Sequence, residues 1–328
     1  ALRGTVPVLT RHNDPSGFAA MRPSAASTPP SPGTSPVHLS DCIEELVRFT
    51  LSSSLDGADL GLSRDYCARL HQDEGPLEDP IPTRLQAQDD ASDACGGVPV
   101  HPLYKRLALA IQRCINRGSF LKTSKSVEGI EEVESLMGRE NEWSELIAEK
   151  GSELLSMYEA VEFELHVQEP FFSQLSAGLK TVEGRCALGN YNRIGRGVLL
   201  IFNKCLLFQV QHVKRYTSFL EMLEAETLTN VLPGVKTIEE GVRIYRNFYT
   251  EEREKSNGVL AISLSRLDSQ PYISMSALLS GLSYDGVGSL LGIMHTVGTI
   301  PDALPPPRSA LLSSFMLPYR PDGIGKTC

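Results

Sequence analysis

The stretch GLKTVEGRCALGNYNRIGRG, residues 178–197, predicts both the fold and the site. It begins with the spacing G-x-K-x-x-E-x-R, which is carried by Gly178, Lys180, Glu183 and Arg185. If the segment is extended, its side chains alternate between the two faces of a strand, so Glu183 and Arg185 point to the same side. Lys180 lies in the turn just before that strand.

A carboxylate between two cations can hold both in place, as carboxylate–guanidinium pairs do. Glu183 would then organise Lys180 and Arg185 into a rigid cationic site that is able to grip a phosphate or the edge of a nucleobase. The same three residues could equally form an internal ion-pair clasp. The spacing alone leaves both interpretations open.

The glycine-rich segment that follows carries further candidates for nucleic-acid binding. Arg193 and Arg196 could reach the same ligand, and Tyr191 could stack on a base. Residues 180–215 hold seven Lys+Arg against Glu183 alone, a net charge of +6, within a chain of formal net charge −9. Such a local basic stripe favours a phosphate-bearing ligand. The alternative is that these cations pair with the acidic helical half of the chain.

Composition excludes several classes of protein. The seven cysteines are scattered without a C-x-x-C pair, and the seven histidines form no ligand pair, so we expect neither a metal nor a cofactor. Scattered thiols favour a reducing compartment, the nucleus and/or cytoplasm. No apolar run approaches the roughly 20 residues that a membrane-spanning helix needs, so we expect no membrane association.

The pattern of proline, charge and hydrophobic residues divides the chain into four parts. Residues 1–37 form a Pro/Ser-rich arm that we expect to be disordered, although an arginine-containing, acid-poor start also resembles an organelle transit peptide. Residues 38–162 read as an acidic helical region with a Pro-rich loop, with Ser40 as the first N-cap. Residues 163–268 form the barrel described next, and residues 269–328 a short helical and Pro-rich tail.

The central part predicts an α+β fold built on a small mixed β-barrel. FELHVQ alternates as a half-exposed strand does, and VLLIFN and CLLFQVQHV read as buried strands. TIEEGVRIYRNFY begins with a capping box, Thr237 and Glu240, and continues as an amphipathic helix. Strands outnumber helices and few crossover helices separate them, which favours a barrel over a doubly wound sheet.

At these residues the sequence resembles the ASCH domain (activating signal cointegrator homology), which has a PUA-like fold. GLKTVEGR matches the family signature, VQEPFFSQLSAG fits its strand and short helix, and GVLAISL fits its closing strand. More narrowly, the chain resembles uncharacterised plant ASCH-domain proteins. The resemblance covers residues 163–268.

The resemblance implies a β-barrel whose motif residues line a cleft that binds RNA in transcription coactivation or RNA processing. Carried over by position, Gly178, Lys180, Glu183 and Arg185 are the cleft residues. Some bacterial relatives are amidohydrolases acting on acetylated cytidine through a Lys, a Thr and a Glu. Here Lys180 matches the lysine, Glu183 replaces the threonine, and VLPGV, which should supply the acid, contains none.

We therefore interpret the chain as an RNA-binding or other nucleic-acid-binding protein with a cationic ASCH cleft. One alternative is an RNA-directed hydrolase, in which Lys180, Glu183 and Arg185 would serve as general acid–base and charge stabiliser, or a nucleoside amidohydrolase. Another is a protein-interaction scaffold with protein partners.

Overall fold

The computed structural model describes residues 37–72, 102–121, 133–293 and Leu304. The chain divides into a unit of residues 1–31 and a unit of residues 32–328, and all described residues belong to the second. The arm predicted for residues 1–37 therefore lies outside the described residues, apart from Val37, which is buried. The loop at 73–100 and the Pro-rich end of the tail also lie outside them.

Four helices precede the sheet within the described ranges: α1 (Leu39–Leu55), α2 (Arg64–His71), α3 (Leu103–Arg117) and α4 (Val133–Glu159). The predicted N-cap of α1 is wrong, because Ser40 lies inside the helix and its hydroxyl contacts the Asp41 carboxylate. Glycine is a weak helix former, yet α4 runs through both Gly138 and Gly151. Gly151 instead lets α3 approach, since a Cβ there would lie 3.0 Å from Ile115 Cγ1.

The barrel segment alternates short strands and helices. Its first half contains β1 (Phe163–Leu165), α5 (Phe171–Ser176), β2 (Val182–Cys186), a 3-10 turn (Gly189–Arg193), β3 (Leu199–Phe202) and β4 (Leu206–Tyr216). Its second half contains α6 (Phe219–Glu226), α7 (Leu228–Val231), α8 (Ile238–Arg246), α9 (Glu251–Asn257) and β5 (Val259–Arg266). The predicted cap of α8 is confirmed, because the Thr237 hydroxyl accepts from the Glu240 N–H at 3.2 Å.

The strands form one mixed sheet in the order β1-β3-β4-β5-β2. β1 pairs with β3 in parallel, whereas the other three pairings are antiparallel. β1 and β2 are therefore the two edges of the sheet. The sheet curls into a half-barrel, which confirms the α+β fold predicted from the sequence.

Two hydrophobic clusters pack against the sheet. The larger cluster joins the helices before the barrel to the sheet, through residues such as Leu46, Ile111, Leu200 and Ile262. The smaller cluster lies between β2, β5 and helices α6 to α8, around Phe219. The helical region and the barrel thus share a core.

The chain continues into α10 (Pro271–Leu291), which is interrupted at Ser283, where φ is 53°. Leu278, Leu279 and Leu282 are buried in the larger cluster, where this helix packs mainly against α1, α3 and α4. Across the described ranges, no helix is both long and apolar enough to cross a membrane.

Candidate functional site

The motif is built around the turn from α5 into β2. Gly178 follows the last turn of α5 with φ 73°, a conformation that favours glycine, and its N–H donates to the Leu175 carbonyl at 3.0 Å. This turn directs Lys180 inward, and β2 then carries Glu183 and Arg185 in the predicted alternation. The local geometry of the motif is therefore the one that its spacing predicts.

Lys180 is buried, with 2% of its surface exposed. Its Nζ donates to the carbonyl oxygens of Val182 at 2.7 Å and Val231 at 2.5 Å, and lies 3.0 Å from Glu183 Oε2. An ammonium group has three N–H donors, and three acceptors surround this one. Burial lowers the pKa of Lys180, while Glu183 opposes that shift. Lys180 is thus an internal clasp, and the interpretation of it as an exposed phosphate anchor does not fit its position.

Glu183 lies between the two cations and is 6% exposed. Its Oε2 faces Lys180, and its Oε1 lies 2.8 Å from Nε of Arg185. Burial by itself raises the pKa of Glu183, but the charges of Lys180 and Arg185 outweigh that effect and hold the pKa below its usual range. Glu183 is therefore ionised at neutral pH.

Arg185 connects the two edges of the sheet. Its Nη2 donates to the carbonyl oxygen of His166, which directly follows β1, at 2.6 Å. The Nε–H is not aimed at the Glu183 carboxylate, so that contact is an ion pair rather than a straight hydrogen bond. The Tyr249 hydroxyl also favours the charged form of Arg185 and so contributes to raising its pKa. Burial acts against the charge of Arg185, but Glu183 outweighs it and raises the pKa.

These residues form the floor of a cleft of about 240 Å³. Arg185 keeps 15% of its side chain exposed there, more than Lys180 or Glu183. The walls are largely apolar and aromatic and come from the β1–α5 connection and from α8 with the residues after it: Val167, Phe171, Leu232, Ile244, Tyr245, Phe248 and Tyr249. Phe248 is 49% exposed at this cleft.

Gly184, within the motif, sets the distance between β2 and α8. A Cβ at this position would lie 2.8 Å from both Tyr245 Cζ and Met222 Cε. The Tyr245 ring stacks on Phe219, with ring centroids 4.1 Å apart. The absence of a side chain at Gly184 therefore allows Tyr245 to form part of the cleft wall.

The other predicted residues lie outside the cleft. Tyr191 is only 4% exposed on the 3-10 turn, and this burial leaves no open ring face for the base stacking that we predicted. Arg193 ends the 3-10 turn and Arg196 follows it, and both are exposed and do not line the cleft. The structure therefore separates the seven predicted residues into three groups. Gly178 forms the turn, Lys180, Glu183 and Arg185 form the floor of the cleft, and Tyr191, Arg193 and Arg196 lie outside it.

The cleft is better suited to holding a ligand than to transferring protons. Glu183, with a lowered pKa and both oxygens facing cations, is a weak base, and the donors of Lys180 are committed to protein acceptors. The VLPGV segment supplies the Val231 carbonyl to Lys180 instead of an acid. The floor of two cations and one anion carries net positive charge, and its partly exposed cation, Arg185, is the one that faces a ligand.

Sequence reasoning missed the aromatic wall. Phe248 and Tyr249 end the TIEEGVRIYRNFY stretch, which was interpreted only as a helix with a core-facing side. Gly184 was a possible signal, because a glycine inside a strand often marks the close approach of another group.

One family model and several solved structures match part of this chain. The model of the ASCH domain family matches residues 165–268, which include the motif and all five strands except the first residues of β1. The crystal structure of hypothetical protein PH0355 is 46% identical, with a TM-score of 0.31, and the match covers 32% of this chain and 97% of that one. The solution structure of protein PF0455 from Pyrococcus furiosus is 43% identical, with a TM-score of 0.30 and the same coverage. The comparison with curated proteins gives no match.

Residues 165–268 of this chain are therefore an ASCH domain.

Proposed function

We propose that this protein binds single-stranded or looped RNA and holds one unpaired base in the ASCH cleft. We further propose that it acts in transcription coactivation or RNA processing, in the nucleus and/or cytoplasm. The observation that carries the proposal is the combination of a fixed cationic floor with an exposed aromatic wall in one cleft.

The size and chemistry of the cleft favour a single base. Its volume of about 240 Å³ lies below the roughly 300–1,000 Å³ typical of sites for drug-sized ligands. Proteins that recognise single-stranded RNA stack unpaired bases on aromatic rings and hydrogen-bond their edges. Phe248 and Tyr249 can supply the stacking surface, and Arg185 can donate to a carbonyl oxygen or ring nitrogen of the base.

The alternatives have less support. A hydrolase that uses Lys180, Glu183 and Arg185 needs a group free to exchange a proton with the substrate, whereas the pKa of Glu183 is lowered and Lys180 directs its three donors at protein acceptors. A protein-interaction scaffold does not account for a charged floor enclosed by aromatic side chains.

The Phe248→Ala variant tests this proposal. Loss of a stacking ring should weaken binding of a short mixed-sequence single-stranded RNA by about 1–3 kcal/mol. Phe248 is half exposed, so the melting temperature of the Phe248→Ala variant should stay close to that of the unchanged protein.

The matched control is Leu109→Ala, because Leu109 is 47% exposed on α3, outside the ASCH domain. Fluorescence anisotropy with labelled RNA measures both variants. Equal affinities for Phe248→Ala and the unchanged protein would refute the proposed use of the cleft.

A further inference from the structure

The cleft provides little for the phosphate backbone of a bound RNA. The three N–H donors of Lys180 are directed at protein acceptors. The Arg185 guanidinium forms an ion pair with Glu183 and a hydrogen bond to the His166 carbonyl, and it interacts with Tyr249. A bound base would bring at least one phosphodiester group with it. The charge for that group must come from another surface.

The register of the sheet identifies this surface. Arg185 on β2 pairs with Leu260 on β5, and Leu260 pairs with Arg215 on β4. Directly paired residues of neighbouring strands point to the same face, so Arg215 shares the face of Arg185. Two strand spacings put their backbones about 10 Å apart.

The segment between the 3-10 turn and β3 runs beside β4. The Gly197 N–H donates to the Val210 carbonyl at 2.8 Å, and the Val210 N–H donates to the Val198 carbonyl at 2.9 Å. Further along, the Arg215 guanidinium donates to the Asn192 side-chain oxygen. Gly197 and Val198 thus continue the line of β3 along β4, and Asn192 near the end of the turn contacts Arg215, so Arg193 and Arg196 lie on the segment between these two contacts.

These three arginines are exposed and have no acidic neighbour nearby in the chain. From Gly184 to Leu220 the sequence contains no Asp or Glu. In the part of the chain that the structure describes, no carboxylate forms an ion pair with Arg193, Arg196 or Arg215. Lys214, whose side chain points to the opposite face of β4, is neutralised by Glu226 at 3.0 Å.

We propose that Arg193, Arg196 and Arg215 form a phosphate-binding strip that holds the RNA backbone leading away from the base in the cleft. This inference rests on the proposed function and assigns the two roles to different residues. The cleft selects and stacks a base, whereas the strip supplies the salt-dependent contacts to the backbone. The strip therefore takes over the anchoring role that the sequence suggested for Lys180 and Arg185.

Two variants test the strip in the 328-residue chain: Arg193→Ala/Arg196→Ala and Arg215→Ala. Each lost phosphate contact should reduce the slope of log affinity against log salt by about 0.7 for a single strand. We expect the double variant to bind short mixed-sequence single-stranded RNA about tenfold more weakly at low salt. Its binding of free ribonucleosides, which carry no phosphate, should be unchanged.

The controls remove equal charge elsewhere. Arg113→Ala/Arg117→Ala removes two exposed arginines of α3, and Lys214→Ala removes one cation from the opposite face of β4. If these controls flatten the salt dependence as much as the strip variants do, the attraction is a general charge effect and the strip is refuted. An unchanged salt slope in the strip variants would refute it as well.

The experiments can refute the proposed strip and the proposed base-binding cleft independently of each other. If Phe248→Ala weakens both nucleoside and RNA binding while the strip variants behave like their controls, the cleft stands and the strip is wrong. If the strip variants flatten the salt slope while Phe248→Ala has no effect, the strip is supported and the base-binding cleft is wrong.

Discussion

At the scale of single residues, the charge on Glu183 decides whether two buried cations can coexist. Lys180 and Arg185 lie on either side of its carboxylate, at 3.0 and 2.8 Å. Removing one partner from a buried ion pair leaves an uncompensated charge, which costs far more than the intact pair contributes. The motif glutamate is thus required for the fold as well as for the shape of the cleft floor.

We expect Glu183→Gln to lower the free energy of unfolding by about 3 kcal/mol at pH 7, because it leaves Lys180 and Arg185 without an anionic partner. The folded-state pKa of Glu183 is lowered, so its stabilising contribution is complete above the unfolded carboxyl pKa of about 4.3 and is lost as pH falls through the folded pKa. The difference between the two proteins should therefore shrink in acid. Urea denaturation at several pH values measures it.

The control for this substitution is Glu224→Gln, which changes an exposed carboxylate on α6 and should alter stability by less than about 0.5 kcal/mol. If Glu183→Gln were as stable as this control at pH 7, the clasp would contribute nothing to folding.

At the scale of elements, the cleft depends on the distance between β2 and α8. Gly184 has no side chain, and the Tyr245 ring occupies the space that a side chain would fill. The same ring stacks on Phe219 of α6, so β2, α6 and α8 meet at one point. A small change at Gly184 should therefore propagate into the cleft wall.

We expect Gly184→Ala to destabilise the protein by about 1–3 kcal/mol, because the added methyl group would overlap Tyr245 and Met222. Combining it with Tyr245→Phe, which removes the hydroxyl nearest to the new Cβ, should cost less than the sum of the two single changes. Thermal denaturation of the single and double variants gives this coupling.

Gly195→Ala is the matched control, since a Cβ at Gly195 would meet no atom within 4 Å and its φ is not in the left-handed region. It should change stability by less than about 0.5 kcal/mol. Additive costs for Gly184→Ala and Tyr245→Phe would show that the two positions do not share this space.

At the scale of the whole molecule, the helices outside the ASCH match are part of the barrel's core. Phe49 of α1 contacts Phe172 of α5 at a ring-centroid distance of 5.6 Å. The Tyr158 hydroxyl of α4 donates to the Lys204 carbonyl at 2.7 Å, and Lys204 Nζ donates to the Asp41 carbonyl at the same distance. The β3–β4 connection is thus tied to both α1 and α4.

We expect the helical region and the barrel to unfold together. Trp143, the chain's single tryptophan, is buried in α4 and reports on the helical region by fluorescence, while amide hydrogen exchange of β5 reports on the sheet. Both probes should give the same urea midpoint, because a shared core favours one cooperative transition. Leu46→Ala, a change in the buried face of α1, should shift both midpoints equally.

Leu109→Ala, on the exposed side of α3, should shift neither midpoint. Two separate transitions, or a Leu46→Ala effect on fluorescence alone, would show that the barrel folds independently of the helices.

The sequence by itself determined the local elements. The spacing of the motif predicted that β2 would carry Glu183 and Arg185 on one face, and Thr237 with Glu240 predicted the start of α8. These features depend on side-chain alternation and capping, which act within a few residues of the chain. The resemblance to the ASCH family rested on the same local pattern and is confirmed.

Only the tertiary structure decided which cations remain available to a ligand. The donors of Lys180 are occupied because α7 brings the Val231 carbonyl to it from 51 residues away. Arg185 is only partly occupied, through the contact with the His166 carbonyl that the curl of the sheet allows. Arg215 joins the face of Arg185 through the pairing of β2, β5 and β4. Partners that are distant in sequence leave no periodic signal along the chain. Counting charges therefore located the basic stripe at residues 180–215, but it could not distinguish the buried clasp around Glu183 from the exposed strip of Arg193, Arg196 and Arg215.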